Sequence, residues 1–397
     1  MTIAESLRVE PAGRATPLKE VQPDRLAYLD GLRAMASLYV VVFHAVIGFP
    51  RGELSGAWRL LRRLSAFGHE AVAVFIVLSG YCLMLPALRD GTYRLPRSLG
   101  SFVGRRAFRI LPPYYATLGI SLLLLWSLPL LRERTGTSWD DSLPGLAWPP
   151  VLAHLLLVHN WLPDLAVQIN GPLWSVATEW QIYFFFPLLL LPLWRRLGPL
   201  PTLAIATLVG YAPWLFLREA ANVAIPWYLG LFAFGMFAAA INRSPHPRER
   251  ALLDRIAWDR LTTGLWVAVA IGGIPFGALW FQFKPLTDLL VGIASASMLV
   301  HITRAADRGE PSRLLAWFNT RPALQLGHFS YSLYLTHLPV LALCFHLLDR
   351  WALSPHVHSL LMVAFGMPAS LLFAYAFYWL VERHCLTQPA ALRRLLS

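Results

Sequence analysis

The sequence predicts an all-α, polytopic membrane bundle of about ten transmembrane helices with both termini on the cytoplasmic side. Three observations predict it. Of the 397 residues, 56% are apolar and only 14% are charged, which is too apolar for a soluble chain of this length. Charge-free runs recur from end to end, at 34–50, 71–88, 110–131, 197–217, 220–242, 261–283, 322–348 and 351–381. Most have the ~17 to 25 residues a helix needs to cross ~30 Å of hydrocarbon. The basic residues are also unevenly spread. With spans near 34–50, 67–88, 110–131, 174–194, 199–217, 222–241, 261–282, 285–303, 323–348 and 357–381, 25 of the 34 Arg and Lys fall on the cytoplasmic side, as topogenesis favours.

The segment 142–163 lacks Asp, Glu, Lys and Arg but is broken by Pro144, Pro149, Pro150 and Pro163. Counting it as a span would invert everything after it and place the basic loop 243–260 outside. It is therefore expected to be re-entrant or interfacial. The loop 51–63 is the exception, with four arginines on the outer side, and is expected to be a surface helix or to hold an anionic ligand. One membrane domain, 25–385, is predicted between short cytoplasmic tails at 1–24 and 386–397, with no cleavable signal peptide.

The net charge of +12 fits a bilayer partner better than nucleic acid, given that arginine asymmetry. Cys82, Cys344 and Cys385 have no metal-ligand or disulfide spacing, and no metal site is expected. A homo-oligomer is left open.

Five motifs carry polar chemistry into the apolar spans. The first joins Asp30 and Arg33 to His44, eleven residues beyond the arginine. Eleven residues are three turns plus about 20°, so Arg33 and His44 share a helix face about 16 Å apart along the axis. An ionisable group at that depth is by default a functional-site candidate, although position alone leaves a structural, neutral histidine open. The second, residues 68–80, begins with His69 and Glu70 and continues with small residues that favour close helix packing. His69 and Glu70 fall at its outer mouth, to meet a polar substrate or solvent. The third holds Arg106 and Arg109, three apart, so both can face one side. Paired guanidinium groups suit phosphate or serve as a topogenic anchor.

The fourth motif, residues 171–183, places Glu179 among Trp174, Trp180 and Tyr183. A carboxylate there is suited to binding a sugar or handling a proton, or forms half of a buried ion pair. The fifth, residues 327–339, spaces Tyr331, Tyr334 and His337 three apart. Such hydroxyls commonly join helices, whereas His337 falls near mid-depth, level with His44.

At these motifs the chain resembles the acyltransferase-3 family of integral membrane acyltransferases. The resemblance runs through LDGLRAMASLYVVVFH, FIVLSG, RRAFRILPPYY, LWSVATEWQIYFFFP and FSYSLYLTHLP, in that order, from about Asp24 to Glu382. It implies that Arg33, Arg106 and Arg109 hold an acyl-CoA donor, normally acetyl-CoA. It also implies that His44 and Glu179 serve catalysis; from their place in the motifs, His337 is expected to join them, with Asp30, Glu70, Trp174, Tyr183, Tyr331 and Tyr334 along the substrate path. The acceptor it implies is a hydroxyl on a cell-surface glycan or similar molecule reached from outside a bacterial inner membrane. Two departures, Val176-Ala177-Thr178 before Glu179 and Thr336 before His337, bear on acceptor choice. A transporter or flippase would also bury His, Arg and Glu in a bundle, but only one Pro-broken segment is present, without a partner. A non-catalytic receptor or scaffold would explain the composition but not the internal ionisable groups.

Overall fold

The computed structural model describes residues 26–49, 55–143, 148–246, 256–274, 280 and 282–386, and the regular secondary structure of these residues is entirely helical. The protein is a polytopic helical membrane protein. Among the described residues, eight helices are long and apolar enough to cross a bilayer, or nine when a bent pair is counted as one span.

The spans are α1 (Ala27–Gly48), α3 (Gly68–Leu88), α4 (Leu99–Ser127), α6 (Leu173–Leu197), α7 (Pro199–Phe216), α11 (Lys284–Arg308), α14 (Ser330–Asp349) and α15 (Pro355–Leu386). The bent pair is α8 (Arg218–Ala224) and α9 (Tyr228–Arg243), which meet at 41°. Ile225, in the left-handed region at φ 52°, and Pro226 after it interrupt the helix there. The span expected at 261–282 is represented by α10 (Trp258–Gly273), 16 residues long, and residues 275–279 beyond it lie outside the described set. So do the expected tails at 1–24 and 387–397, and residues 247–255 of the basic loop.

Among the described residues, the Pro-broken segment holds no helix long enough to cross. Its helix α5 (Trp148–Leu155) has eight residues, a rise of about 12 Å. After a turn with Leu157 at φ 54°, Asn160 donates to Thr178 at 3.0 Å and accepts from Gln181 at 2.9 Å. Those bonds fasten the segment to α6. In the arginine-rich loop, α2 (Gly56–Leu64) has no buried residue. Leu60, Leu61 and Leu64 occupy one face and Arg59, Arg62 and Arg63 the other, the pattern of a helix lying in the membrane interface.

The tightest contact in the bundle is between α3 and α9. A Cβ on Gly80 would lie 2.0 Å from the carbonyl oxygen of Phe232, and one on Gly235 would lie 1.9 Å from that of Val77. Two glycines facing opposite backbones let the helices touch through the main chain, which is how membrane helices gain dispersion energy without a hydrophobic driving force.

Candidate active site

A cavity of about 330 Å³ opens among α1, α3, α4, α6, α14 and α15, at the end of the bundle where α1 begins. Arg33, Arg106 and Arg109 all line it. Arg33 Nη1 donates to Asp30 Oδ1 at 2.9 Å, and Nη2 lies 3.2 Å from Cys82 Sγ. Arg106 and Arg109 form no ion pair among the described residues, and Arg106 Nε is buried without a hydrogen-bond partner there. Two guanidinium groups without a direct carboxylate partner among the described residues, beside a third, could hold an anion here.

Further along the cavity, Glu179 Oε1 accepts from the Ser79 hydroxyl at 2.7 Å and from the Tyr183 hydroxyl at 2.5 Å. Its partners are hydroxyls from α3 and α6 rather than a cation, so the ion-pair alternative is not what forms among the described residues. Ser79 belongs to the stretch that reads as packing; Gly80 beside it does pack, while Ser79 turns to the cavity. Tyr331 also lines the cavity and donates to the Ile110 carbonyl at 3.1 Å.

Tyr334 and Phe75 close the inner end, their rings edge-on at 5.8 Å. The Tyr334 hydroxyl lies 2.6 Å from Ser175 Oγ and donates to the Pro172 carbonyl at 3.2 Å. His337 sits one turn beyond on α14, its ring 6.1 Å from that of Tyr334, and it meets His44. His337 Nδ1 faces two acceptors, the carbonyls of Tyr334 at 2.8 Å and Leu333 at 3.1 Å, so that nitrogen carries the hydrogen. In the neutral ring Nε2 is then an acceptor. It stands 3.1 Å from His44 Nδ1, which also faces the Val40 carbonyl at 2.9 Å. His44 Nδ1 therefore carries a hydrogen and His44 Nε2 keeps its lone pair, the arrangement of an oriented general base.

The turn His44–Gly48 is π-helical, a local widening frequent at functional sites. It is held by the loop after α4, where the Ser138 hydroxyl donates to the Gly48 carbonyl at 2.6 Å. Asp140 organises that loop. Partial burial pushes its carboxyl up, but hydrogen bonds from the Thr135 and Gly136 amides and the Thr135 hydroxyl outweigh this and hold it below the ordinary carboxylate range.

Of the residues singled out in the sequence, Asp30, Arg33, Arg106, Arg109, Glu179, Tyr183, Tyr331 and Tyr334 converge on the cavity. His44 and His337 pair just past its end. Glu70 and Trp174 do not line it, and Glu70 is buried at 3% exposure rather than solvated at a mouth. Sequence reasoning passed over Glu382 and Asp288. Glu382 lines the cavity from a π-helical turn and accepts from the Ser332 amide at 3.0 Å and from its hydroxyl. Asp288, fully buried on α11, is a lone acid inside an apolar span, and that alone is a signal.

The fold and site define a helical membrane protein with three arginines lining one cavity and a histidine pair just past its inner end. The acyltransferase-domain model of the acyltransferase-3 family matches residues 26–379. The chain belongs to this family. It is 34% identical over 176 residues to the acyltransferase MdmB of Streptomyces mycarofaciens, covering 44% of this chain and 40% of the relative. Identity is 25% to the O-acetyltransferase OatA of Staphylococcus aureus, over 81% of this chain and 52% of the relative. It is 29% to the membrane-bound transacylase BcsY of Komagataeibacter xylinus, over 89% and 81%. The chain thus spans about half or less of the first two relatives. No solved structure matches it.

Proposed function

We propose that the protein transfers an acyl group, acetyl in the simplest case, from a cytoplasmic acyl-CoA to a hydroxyl of an acceptor that enters from the outer side. The observation that carries this reading is the alignment of two unpaired arginines, a narrow cavity and the His44–His337 pair along one path. The donor fits the residues present. Arg106 and Arg109 offer planar donors to its phosphates, with the Asp30-paired Arg33 beside them. The cavity takes the slender arm while the nucleotide stays at the mouth.

The donor supplies an acyl group activated as a thioester. His44 Nε2 takes the proton of the acceptor hydroxyl as the new C–O bond forms, and returns it to the departing sulfur as the C–S bond breaks and the free thiol leaves, while His337 holds the imidazole in the tautomer that leaves Nε2 free. Glu179, held by Ser79 and Tyr183, lies beside the arm's path and orients groups there. Tyr334 stands between cavity and histidines, so its side chain swings aside when donor and acceptor meet. The name of the Staphylococcus aureus relative supports oxygen-linked acetyl transfer, and a glycan of the bacterial cell envelope is the acceptor class we favour. The family match gives no support to a transporter.

The test is acetyl-CoA binding and slow hydrolysis by the purified protein in lipid nanodiscs, together with mass spectrometry of envelope glycans with and without the gene. Absence of acetyl-CoA binding, or Arg106→Ala with unchanged affinity, overturns the donor site. Normal acylation by His44→Ala at normal protein level overturns the base.

A further inference from the structure

A second polar cluster lies on the far side of Tyr334 from the arginines, and the donor path does not use it. Asp288 is fully buried on α11. Its Oδ2 accepts from Trp227 Nε1 at 2.8 Å and pairs with His69 Nε2 at 3.0 Å. Its other oxygen, Oδ1, is buried with no partner among the described residues. Glu70, beside His69 on α3, repeats the pattern. Its Oε1 accepts from Trp280 Nε1 at 2.6 Å, and its Oε2 is buried and unpartnered among the described residues.

The cluster has one open side. The His69 side chain is 11% exposed, and its ring stacks on Trp174 at 5.9 Å and 21°. Tyr228 completes the wall, 6.0 Å from the His69 ring and 6.2 Å from Trp174. The position also adjoins the reaction centre. Gly68, next to His69, packs on Phe43, where a Cβ would lie 2.3 Å from the ring. Phe43 in turn sits edge-on to His44 at 4.8 Å. Trp174 precedes Ser175, the residue that hydrogen-bonds Tyr334.

Trp227 and His69 both meet Asp288 at Oδ2, so Oδ1 is the buried oxygen left without a partner among the described residues. A buried acceptor in that state is costly. Glu70 Oε2 poses the same demand a residue away from His69. What satisfies both is a ligand that brings hydrogen-bond donors and no negative charge, and the Trp174 and Tyr228 rings offer it an apolar face. A pyranose ring has hydroxyls on its edge and C–H groups on its faces.

We propose that His69, Glu70 and Asp288, with Trp174 and Tyr228, form the acceptor subsite and select an uncharged sugar ring over a carboxylate-bearing one. The inference rests on the acyltransferase reading above and names the acceptor chemistry for that site.

The experiment uses the full-length protein in nanodiscs with radiolabelled acetyl-CoA and two probes, methyl glucopyranoside and its glucuronide counterpart. Wild-type protein should transfer acetyl to the neutral probe with kcat/KM at least about tenfold higher than to the acidic one, the cost of setting a like charge against a buried carboxylate. Asp288→Asn should raise KM for the neutral probe and bring the two probes closer together. Glu70→Gln, which keeps shape and turns one carboxyl oxygen into an amide, should narrow the ratio in the same direction and serves if the first variant does not accumulate. Equal use of the probes, preference for the glucuronide, use of neither, or an unchanged ratio in both variants overturns the subsite. Failure of the wild type to bind acetyl-CoA at all overturns the donor reading instead, so the two failures are distinguishable.

Discussion

His337 Nε2 lies 3.1 Å from His44 Nδ1 although 293 positions of sequence separate them, and the backbone carbonyls on either side decide which nitrogens carry hydrogen. His44→Ala removes the free Nε2, and acyl transfer should fall about 10²- to 10⁴-fold, the usual worth of a positioned base. His337→Ala removes only the acceptor that orients His44, so its loss should be smaller and accompanied by a changed pH–rate profile. Histidine-nitrogen NMR reads the tautomer directly. Equal activity in wild type and His337→Ala would show that the pair is structural.

The donor end yields a binding prediction. Arg106 and Arg109 are the cavity's unpaired cations among the described residues, while Arg33 is already paired with Asp30 at 2.9 Å. Arg106→Gln or Arg109→Gln should each weaken acetyl-CoA binding by about tenfold, the worth of a charge-assisted hydrogen bond. Binding should also become less sensitive to salt. Arg33→Gln should weaken binding too, because it removes a cation from the cavity together with the countercharge beside Asp30. Equilibrium binding at two ionic strengths in nanodiscs measures all three.

At the cavity's inner end, the Tyr334 hydroxyl is held by Ser175 at 2.6 Å. Tyr334→Phe keeps the ring against Phe75 and loses that tie, worth about 1 kcal/mol for a neutral hydrogen bond. The wall should open more often, and acetyl-CoA hydrolysis without acceptor should rise several-fold while donor affinity holds. Unchanged hydrolysis would remove Tyr334 from the path.

The outer loop gives a pH dependence. Asp140 is held below the ordinary carboxylate range by three hydrogen bonds. A carboxyl with a depressed folded value contributes stability that is fully present above its unfolded value and is lost as pH falls through the folded value. Since Ser138 of the same loop braces the π-turn carrying His44, transfer should decline as the outer pH drops below the ordinary carboxylate range. Asp140→Asn should show part of that decline already at neutral pH. The rate of transfer against external pH, in wild type and variant, tests this.

How much of this was legible in the sequence depends on the kind of constraint. Helices, the Pro-broken segment and the arginine motifs were legible because each is set locally, by apolar length, by Pro149 and Pro150, and by three-residue spacing. The convergence of Arg33, Arg106 and Arg109 on one cavity needed the tertiary arrangement that sets α1 and α4 around it together with α3, α6, α14 and α15. So did the separation of Glu70 from that cavity: at the start of α3 it reads as solvated, and it is buried in a contact with Trp280, 210 positions further on. Asp288 was missed because its partners, His69 and Trp227, come from distant helices. The span count differs because Ile225 and Pro226 bend one helix and α10 is short, and neither length nor hydropathy encodes a bend.

Close packing of α3 on α9 supports every element of the site on α3, including Ser79 one residue from the contact. A Cβ at position 80 would stand 2.0 Å from a backbone oxygen, and one at position 235 would stand 1.9 Å from another. No side-chain rotation relieves a clash with main chain, so the helices must separate. Gly80→Ala or Gly235→Ala should therefore destabilise the protein by about 1 to 3 kcal/mol, the cost of overpacking, and lower the detergent melting temperature. Separation also draws Ser79 from Glu179, now 2.7 Å away, so activity per folded molecule should fall as well. Because the two glycines serve one contact, the double variant should cost less than the sum of the single ones. Strict additivity would mean that each glycine is needed for a separate reason.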